Sequence, residues 1–286
     1  MKLRLFKSPK SAFCTCPPKY DLNTYTGRCG HSCIYCYAVK FPSFTGSPKP
    51  RLKLLDHIED MAMLTKPKLP VMLSACTDPY QLLESDYKVT RKCVEVLANH
   101  GFPLLITTKS DLVTRDIDIF KKTRTAVAIT VTTTREDVAQ VIEPHAPSPR
   151  KRISALEKIA DSGLPAIARI DPIIPTLNDS EKDFARLISI LKEIGVKHVT
   201  VSTLKLVGDF LTQLENQNPK LCKTLKEVYT RGESIMGYKY LPLEISCEMI
   251  KKCRTTTLRF GLSFSSCREG LTYFNTSVCD GSAYCR

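Results

Sequence analysis

Two kinds of apolar run alternate along the middle of the chain, and their order predicts the fold. Short runs rich in Val, Ile, Leu and Thr predict strands over 70–75, 103–108, 125–132, 165–170 and 196–203. Apolar residues at helical spacing predict helices over 52–65, 86–99, 112–123, 150–162 and 179–194. Repeated strand–helix units with short connections are typical of a parallel α/β sheet with right-handed crossovers.

The alternation divides the chain into three predicted segments. Residues 1–22 form a basic N-terminal segment that contains cysteines and is broken by Pro17-Pro18. Residues 23–206 carry the strand–helix units, with one more short strand over 23–28 before them. Residues 207–286 form a helical and Cys-rich extension, with helices over 219–236 and 242–252 and a strand over 255–260. Periodicity alone does not separate a partial barrel from a doubly wound sheet.

The charge of the chain favours a polyanionic partner. Lys and Arg outnumber Asp and Glu by 42 to 29, which gives a net charge of +13. Residues 1–53 hold ten of these basic residues and one acid, Asp21, and aromatic residues are interleaved with them. Basic and aromatic residues together suit the phosphates and bases of nucleic acid, whereas the alternative is an ordinary solvated basic surface.

The cysteines predict metal chemistry in a reducing compartment. The chain has 13 cysteines, an odd number, and its first residues lack the apolar core of a secretory signal. No run is long enough to span a membrane. We therefore expect a cytoplasmic protein with reduced, metal-binding thiols and no membrane partner.

The main motif lies at Cys29-Gly30-His31-Ser32-Cys33-Ile34-Tyr35-Cys36-Tyr37. Three cysteines at such short gaps can aim three thiolates at one centre, and an iron–sulfur cubane with three cysteine ligands keeps one iron open for another molecule. The alternatives are a structural zinc site or a chance spacing.

A CxxxCxxC spacing followed by an aromatic residue resembles the radical S-adenosylmethionine (SAM) superfamily. The flanking words resemble its spore photoproduct lyase, or DNA-repair-photolyase-like, group. The resemblance implies a partial (β/α)6 barrel and a [4Fe-4S] cluster on Cys29, Cys33 and Cys36. It also implies that SAM binds the open iron and is cleaved to a 5′-deoxyadenosyl radical, and that an electron donor such as ferredoxin or flavodoxin reduces the cluster.

Polar residues at the ends of the predicted strands have counterparts in this family. The resemblance implies that Ser74 and Thr77 contact SAM, that Lys109 meets its carboxylate and that Thr130 meets its ribose. Arg169 is a weaker match for a further polar contact, and Tyr35 and Tyr37 of the cysteine motif are assigned to cofactor binding. A cation suits a carboxylate and a hydroxyl suits ribose oxygens, although a polar residue at a strand end can also serve as a cap or turn.

Cys76 follows the first strand of the repeat, and the resemblance implies that it returns a hydrogen atom to the substrate radical. Tyr80 is a candidate relay for that hydrogen. The alternative for Cys76 is a small buried apolar side chain, and the alternative for Tyr80 is packing.

A second set of cysteines lies outside the predicted barrel. Soft thiolates select zinc or iron–sulfur clusters, so we expect a second metal site. The predicted ligands are Cys14, Cys16, Cys267 and Cys279, which would clamp the two chain ends over the mouth of the barrel. Such a tail departs from the spore photoproduct lyase pattern and puts the transfer of its substrate in doubt.

The sequence therefore predicts a radical SAM enzyme that acts on nucleic acid, with lyase chemistry on a DNA photoproduct as one case. A tRNA-modifying or peptide-modifying radical SAM enzyme with an auxiliary cluster is the first alternative. A zinc-containing nucleic-acid-binding module without catalysis is the second.

Overall fold

A computed structural model describes residues 2–6, 13–14 and 16–285. Lys7 and Lys10, which contribute to the basic N-terminal segment, lie outside these ranges. The strands are β1 Arg4–Leu5, β2 Tyr20–Leu22, β3 Tyr25–Thr26, β4 Lys49–Pro50, β5 Val71–Leu73, β6 Leu104–Thr108, β7 Thr125–Thr130, β8 Ala166–Ile173, β9 His198–Thr203, β10 Ser234–Ile235, β11 Tyr238–Lys239 and β12 Ser263–Ser266. The helices are α1 Ile58–Leu64, α2 Glu84–Tyr87, α3 Val89–Asn99, α4 Ile117–Phe120, α5 Glu136–Ile142, α6 Pro149–Asp161, α7 Glu181–Glu193, α8 Phe210–Gln217, α9 Pro219–Tyr229 and α10 Leu243–Arg259.

Eight strands form one curved, open sheet in the order β1-β2-β5-β6-β7-β8-β9-β12. All neighbouring pairs from β2 to β12 are parallel, and β1 adds an antiparallel edge. The predicted α/β partial barrel is thus confirmed. Because successive strands are parallel and adjacent, their carboxyl ends lie at one rim, where ligands bind in such folds.

The two faces of the sheet pack against different parts of the chain. The outer face packs on the helices, where α7 contributes Phe184, Leu187, Ile188 and Leu191 from one side. The inner face is lined by smaller residues, among them Ala126, Ala128 and Ile167. The C-terminal tail occupies this inner face: Cys285 packs on these residues and its thiol donates to the carbonyl of Leu104 at 3.3 Å. The tail therefore fills the barrel near the amino ends of the strands.

Helix starts follow local sequence signals. Ser148 and Ser180 accept hydrogen bonds from backbone amides of Lys151 and Asp183, which caps α6 and α7. Pro149 stands in the first turn of α6, where its missing amide hydrogen has no cost.

Several elements of the structure differ from the prediction. The first barrel strand is β2, ahead of the predicted 23–28, and residues 25–26 instead pair with β4 in a small separate sheet. The strand predicted over 255–260 is wrong, because these residues form the last turns of α10, and the strand follows as β12. Helices α5 and α8 lie where the pattern predicted none.

Candidate active site

The loop that carries Cys29, Cys33 and Cys36 is held by two turns of its own backbone. The amide of Ser32 donates to the carbonyl of Cys29 at 3.1 Å, and the amide of Cys36 donates to that of Cys33 at 3.2 Å. All three thiols are partly exposed. The two turns fold nine residues around one region, as the motif predicts for thiolates that share a centre.

Glycine is required where the loop begins. Gly27 has φ +74°, and a Cβ there would lie 2.0 Å from the carbonyl oxygen of Ser47. Further on, the amide of Gly30 donates to Oε1 of the buried Gln81 at 2.9 Å. Nε2 of Gln81 is buried without a hydrogen-bond partner in the described part of the chain. This amide group is therefore free to meet a ligand at the loop.

Asp78 ties the loop to two strand ends. Its carboxylate accepts from Thr108 Oγ1 at 2.6 Å and from the Lys109 amide at 2.7 Å, and it lies 3.2 Å from Nε2 of the buried His31. Burial disfavours the charged form, but His31 and these hydrogen bonds outweigh it and lower the pKa of Asp78 to about 2. The carboxylate is thus a fixed acceptor that orients the backbone before Lys109.

Glu143 is the centre of a buried polar cluster beside the loop. Its carboxylate lies 2.5 Å from Arg152 Nη1 and 3.9 Å from Lys109 Nζ, and it accepts from Thr132 and Tyr35 hydroxyls. Burial raises the pKa of Glu143, but the charges of Arg152 and Lys109 outweigh this and the net pKa is lowered. Neither Glu143 nor Arg152 was predicted from the sequence.

Lys109 stands where the family resemblance predicts a cation for a carboxylate. Its ammonium is 17% exposed and lies 5.5 Å from the ring centre of Tyr35. Burial opposes its charge, but Cys33 and Glu143 favour it and raise the pKa of Lys109. Within the described ranges its ammonium makes only the long ion pair with Glu143, so donors remain for a ligand.

The turn after β5 joins the loop on its other side. The amide of Ala75 donates to Asp21 of β2 at 3.2 Å, and the amide of Cys76 donates to Asn23, just past β2, at 3.2 Å. The hydroxyl of Tyr37 donates to the carbonyl of Ala75. The partly exposed Cys76 is thereby held close to the cluster loop, as the strand-end argument predicts.

Ser74, Thr77 and Thr130, which are also assigned to SAM, make contacts within the chain. Ser74 and Thr77 are buried and lie within hydrogen-bonding range of Thr24 and of the Tyr25 carbonyl, respectively. Thr130 is buried at the end of β7, and its carbonyl accepts from Arg152 at 3.2 Å. These residues lie at the predicted strand ends, and their contacts within the chain also support the turn alternative.

Arg169 and Tyr80 are engaged elsewhere. Arg169 pairs with Asp171 at 2.7 Å and donates to the carbonyl of Cys279 at 3.3 Å, so it faces the C-terminal tail. Tyr80 is fully buried and its hydroxyl donates to Asp116 at 3.0 Å. This hydrogen bond supports the packing alternative for Tyr80.

The second cysteine set comes together. Cys16 Sγ lies 3.9 Å from Cys279 Sγ, and Cys14 interacts with Cys16 and Cys267 with Cys279. Cys267 directly follows the carboxyl end of β12, while the tail beyond Cys279 runs inside the barrel to Cys285, so the clamp over the mouth stays a prediction.

Comparison with protein families gives one match that covers more than half of the chain. The family model described as the radical SAM superfamily matches residues 23–188. An uncharacterized protein of Methanocaldococcus jannaschii is 35% identical over 167 residues, which is 57% of this chain and 63% of that protein. An uncharacterized protein of Mycobacterium tuberculosis is 28% identical over 272 residues, which is 88% of this chain and 79% of that protein. A radical SAM Nα-GlyT isomerase of Pseudomonas phage M6 is 20% identical over 254 residues, 86% of this chain and 52% of the isomerase.

Solved structures share the fold. A spore photoproduct lyase variant with dinucleoside spore photoproduct superimposes with a TM-score of 0.68 at 19% identity, covering 86% of this chain and 75% of the lyase. SuiB of Streptococcus suis, bound to its precursor peptide SuiA, gives a TM-score of 0.57 at 14% identity, covering 86% of this chain and 48% of SuiB. A radical SAM methyltransferase of Sphaerobacter thermophilus gives 0.56 at 13% identity, covering 92% of this chain and 67% of the enzyme.

Proposed function

The chain belongs to the radical SAM superfamily, whose enzymes use a [4Fe-4S] cluster and SAM, and we propose that its substrate is a nucleic acid. The observation that carries this proposal is the exposed aromatic and basic surface that adjoins both the cluster loop and Cys76. Lyase chemistry on a DNA photoproduct is the case that we favour.

The residues of the loop fit the family's cofactors. Three partly exposed thiols on one folded loop suit three irons of a cubane, and the ammonium of Lys109 suits the carboxylate of SAM. When bound, the cluster and SAM supply an electron and a 5′-deoxyadenosyl radical for hydrogen abstraction. The chain's own task is to orient these groups, and the Glu143 cluster holds Lys109 and Tyr35 for it.

The surface beside the loop suits bases and phosphates. Tyr37 and Phe41 are 39% and 41% exposed, and their rings meet edge to face with centres 6.5 Å apart. Phe44 continues the row with the same 6.5 Å spacing from Phe41. Stacked bases bind to such aromatic rows in proteins that take up single strands. We call Tyr37, Phe41 and Phe44, together with the exposed Lys49, Arg51 and Lys53, the aromatic–basic edge.

This edge connects to the reactive turn. Arg51 donates to the carbonyl of Asn23 at 2.6 Å, and the Asn23 side chain accepts from the amide of Cys76. A phosphate bound at the edge would therefore lie close to Cys76. The dinucleoside photoproduct bound in the spore photoproduct lyase structures agrees with this class of substrate.

Cys76 fits the role of hydrogen-atom donor. Burial, followed by the charges of Asp21 and Cys36, raises the pKa of Cys76 to about 12, so its sulfur keeps its hydrogen at neutral pH. Donation breaks the S–H bond and forms a C–H bond on the substrate radical, and it leaves a thiyl radical on Cys76. One electron from the donor that also reduces the cluster, together with a proton from solvent, restores the thiol. The hydrogen bond from Tyr80 to Asp116 favours the packing alternative for Tyr80 over its role as a relay.

The main rival is another radical SAM substrate. A tRNA base would use the same charges, and SuiB, a structural neighbour, is bound to a peptide. The non-catalytic zinc module is not compatible with membership of this enzyme family. We favour nucleic acid over peptide because the cations lie beside the loop, where a neutral peptide would gain nothing from them.

The test is an anaerobic activity screen of the reduced, cluster-loaded protein with SAM. We expect 5′-deoxyadenosine from the wild type, none from Cys33→Ala, and wild-type yield from Cys247→Ala. Cys247 lies on α10, and its thiol contacts the hydroxyl of Tyr273. Ultraviolet-irradiated DNA, bulk tRNA and a peptide pool are then compared as substrates. Repair of irradiated DNA supports the lyase, modification of tRNA keeps nucleic acid but removes the lyase, and a product from peptides alone overturns the proposal.

The role of Cys76 is tested separately by Cys76→Ala. Cleavage of SAM should continue in this variant, while the normal substrate product is replaced by products of an unquenched radical. A product distribution identical to that of the wild type would remove Cys76 from the mechanism.

A further inference from the structure

Four cysteines from three distant parts of the chain meet inside the barrel. Cys14 and Cys16 come from the N-terminal segment, Cys267 directly follows β12, and Cys279 begins the tail. Cys16 Sγ lies 3.9 Å from Cys279 Sγ, Cys14 interacts with Cys16, and Cys267 interacts with Cys279. The four are thus neighbours, although up to 265 positions separate them along the chain.

The one measured sulfur–sulfur distance suits a single metal ion. Thiolates on one tetrahedral zinc, with Zn–S bonds of about 2.3 Å, lie about 3.8 Å apart. The measured separation between Cys16 Sγ and Cys279 Sγ is 3.9 Å. In a cubane each thiolate binds a different iron, which sets the sulfurs farther apart. We propose that Cys14, Cys16, Cys267 and Cys279 form a four-thiolate zinc site that is separate from the Cys29 loop.

The backbone around two of these cysteines is held by the sheet. The carbonyl of Cys279 accepts from Thr200 of β9 at 3.0 Å and from Arg169 of β8 at 3.3 Å. The amide of Cys267 donates to the carbonyl of Val201 at 2.9 Å. These bonds fix Cys267 and Cys279, two of the proposed zinc ligands, on the sheet. Cys14 and Cys16 of the N-terminal segment complete the proposed site.

Cations surround the cluster. The fully buried Lys19 lies within hydrogen-bonding range of Cys16, and Arg169 lies near Cys267 and Cys279. Lys19 also pairs with Asp280 at 2.6 Å, and Arg169 with Asp171 at 2.7 Å. Four thiolates on Zn²⁺ carry a net charge of −2, which nearby cations stabilise in a buried place.

The side chains must rotate to close the site. Across residues 2–6, 13–14 and 16–285, no three Cys, His, Asp or Glu side chains already converge at ligand distances. The side chains of Cys29, Cys33 and Cys36, the predicted ligands of the [4Fe-4S] cluster, do not converge either. The lack of convergence is therefore no argument against the four-cysteine set. Rotation about Cα–Cβ moves a sulfur while it leaves the backbone bonds in place.

A zinc ion here would join both chain ends to the inner face of the sheet. The tail beyond Cys279 fills the barrel, and Cys14 and Cys16 belong to the same N-terminal segment as the edge strand β1. The site would therefore be structural, and it does not depend on which substrate the enzyme takes.

Zinc and iron contents of the full-length protein test the inference. We expect about one zinc and about four irons per chain after anaerobic purification without chelators. Cys267→Ser and Cys14→Ser should each lose the zinc but keep the iron, while Cys33→Ala should lose the iron but keep the zinc. Cys247→Ser is the matched control and should keep both metals. Cys14 lies outside the sheet, so its variant keeps the test valid if Cys267→Ser fails to fold.

Cobalt(II) substitution gives a second readout, because thiolate-to-cobalt charge-transfer bands appear only with sulfur ligands. These bands should be present in the wild type and absent in Cys14→Ser. A content of about eight irons per chain, half of them lost in Cys267→Ser, would show that the four cysteines hold a second iron–sulfur cluster and not zinc. A metal-free site with a Cys16–Cys279 disulfide, seen by mass spectrometry, would overturn the inference altogether.

Discussion

Glu143 shows how much of the site depends on one buried carboxylate. It contacts Arg152, Lys109 and Tyr35, which come from three different elements. Arg152 is 1% exposed and its Nη2 atom has no hydrogen-bond partner in the described ranges. Removal of the carboxylate would therefore leave a buried cation without its counter-charge.

We predict that Glu143→Gln lowers the free energy of unfolding by about 3–5 kcal/mol at pH 7. The folded pKa of Glu143 is below its usual value, so its contribution is present above the unfolded pKa of about 4.3 and lost as the pH falls through the folded pKa. Wild type and variant should thus converge in acid. Anaerobic denaturant unfolding at several pH values measures this.

Glu248→Gln is the control for Glu143→Gln. Glu248 is 68% exposed and pairs with Lys252 on the surface of α10, so its loss should leave the free energy of unfolding nearly unchanged. Equal effects of the two substitutions would show that the Glu143 cluster does not stabilise the fold.

The sequence predicted some residues of the site and missed others for a physical reason. Lys109 and Cys76 follow parallel strands, where ligands bind in such folds, and the family resemblance assigned their roles. Glu143 follows the short helix α5, and Arg152 lies within α6. No periodicity marks such residues, because the rule applies to strands and these side chains reach the site from the helix layer.

At the scale of elements, the sequence predicts the strand–helix alternation where either the strand period or the helix period of apolar residues dominates a stretch. The stretch 255–260 was not predictable in this way, because Thr255, Thr256 and Thr257 have the β-branched side chains that favour strands. In α10 the hydroxyls of Thr255 and Thr257 donate to carbonyls four residues earlier, at 2.9 and 2.8 Å. These bonds satisfy the hydroxyl donors within the helix. The burial of Thr257 against the core outweighs the intrinsic preference for a strand.

The cluster loop depends on a glycine at its first turn. Gly27→Ala would add both the strain of φ +74° and a contact of 2.0 Å with the Ser47 carbonyl. We predict that this variant binds less than half of the wild-type iron after reconstitution, as measured by iron content and visible absorbance. The backbone of Ser47 cannot move aside as a flexible side chain could, so the loop itself must shift.

Gly46→Ala separates the effect of backbone strain from the effect of the contact with Ser47. Gly46 has the same φ of +74°, but nothing lies within 4 Å of an added Cβ. It should cost only about 1 kcal/mol of stability and leave the iron content unchanged. Iron loss of the same size in both variants would show that backbone strain, and not the contact with Ser47, disturbs the loop.

At the scale of the whole molecule, the sequence predicted an open parallel sheet but not the place of its tail. Residues 279–285 pack inside the barrel because Ala126 and Ala128 leave room on the inner face. Gly281 fits there closely, since an added Cβ would lie 2.4 Å from Ile167. Such complementarity arises only when distant segments meet, so no local pattern reveals it. No helix within the described ranges is long and apolar enough to cross a membrane.

The uneven charge of the molecule gives the last prediction. The net charge is +13, and the aromatic–basic edge concentrates cations beside the cluster loop. If this edge binds phosphates, the double variant Lys49→Glu/Lys53→Glu should weaken the binding of a single-stranded oligonucleotide. It should also reduce the slope of log K against log salt by about 1.4, the value for two lost phosphate contacts.

Lys220→Glu/Lys223→Glu changes the net charge by the same amount on the exposed side of α9. Fluorescence anisotropy at several salt concentrations compares the two double variants. If the aromatic–basic edge is a local binding surface, only Lys49→Glu/Lys53→Glu should weaken binding strongly. The reason is that charges within the Debye length of about 10 Å of the nucleic acid contribute most to its binding. Equal weakening by both pairs would mean that overall charge attracts nucleic acid and that the aromatic–basic edge is not its binding surface.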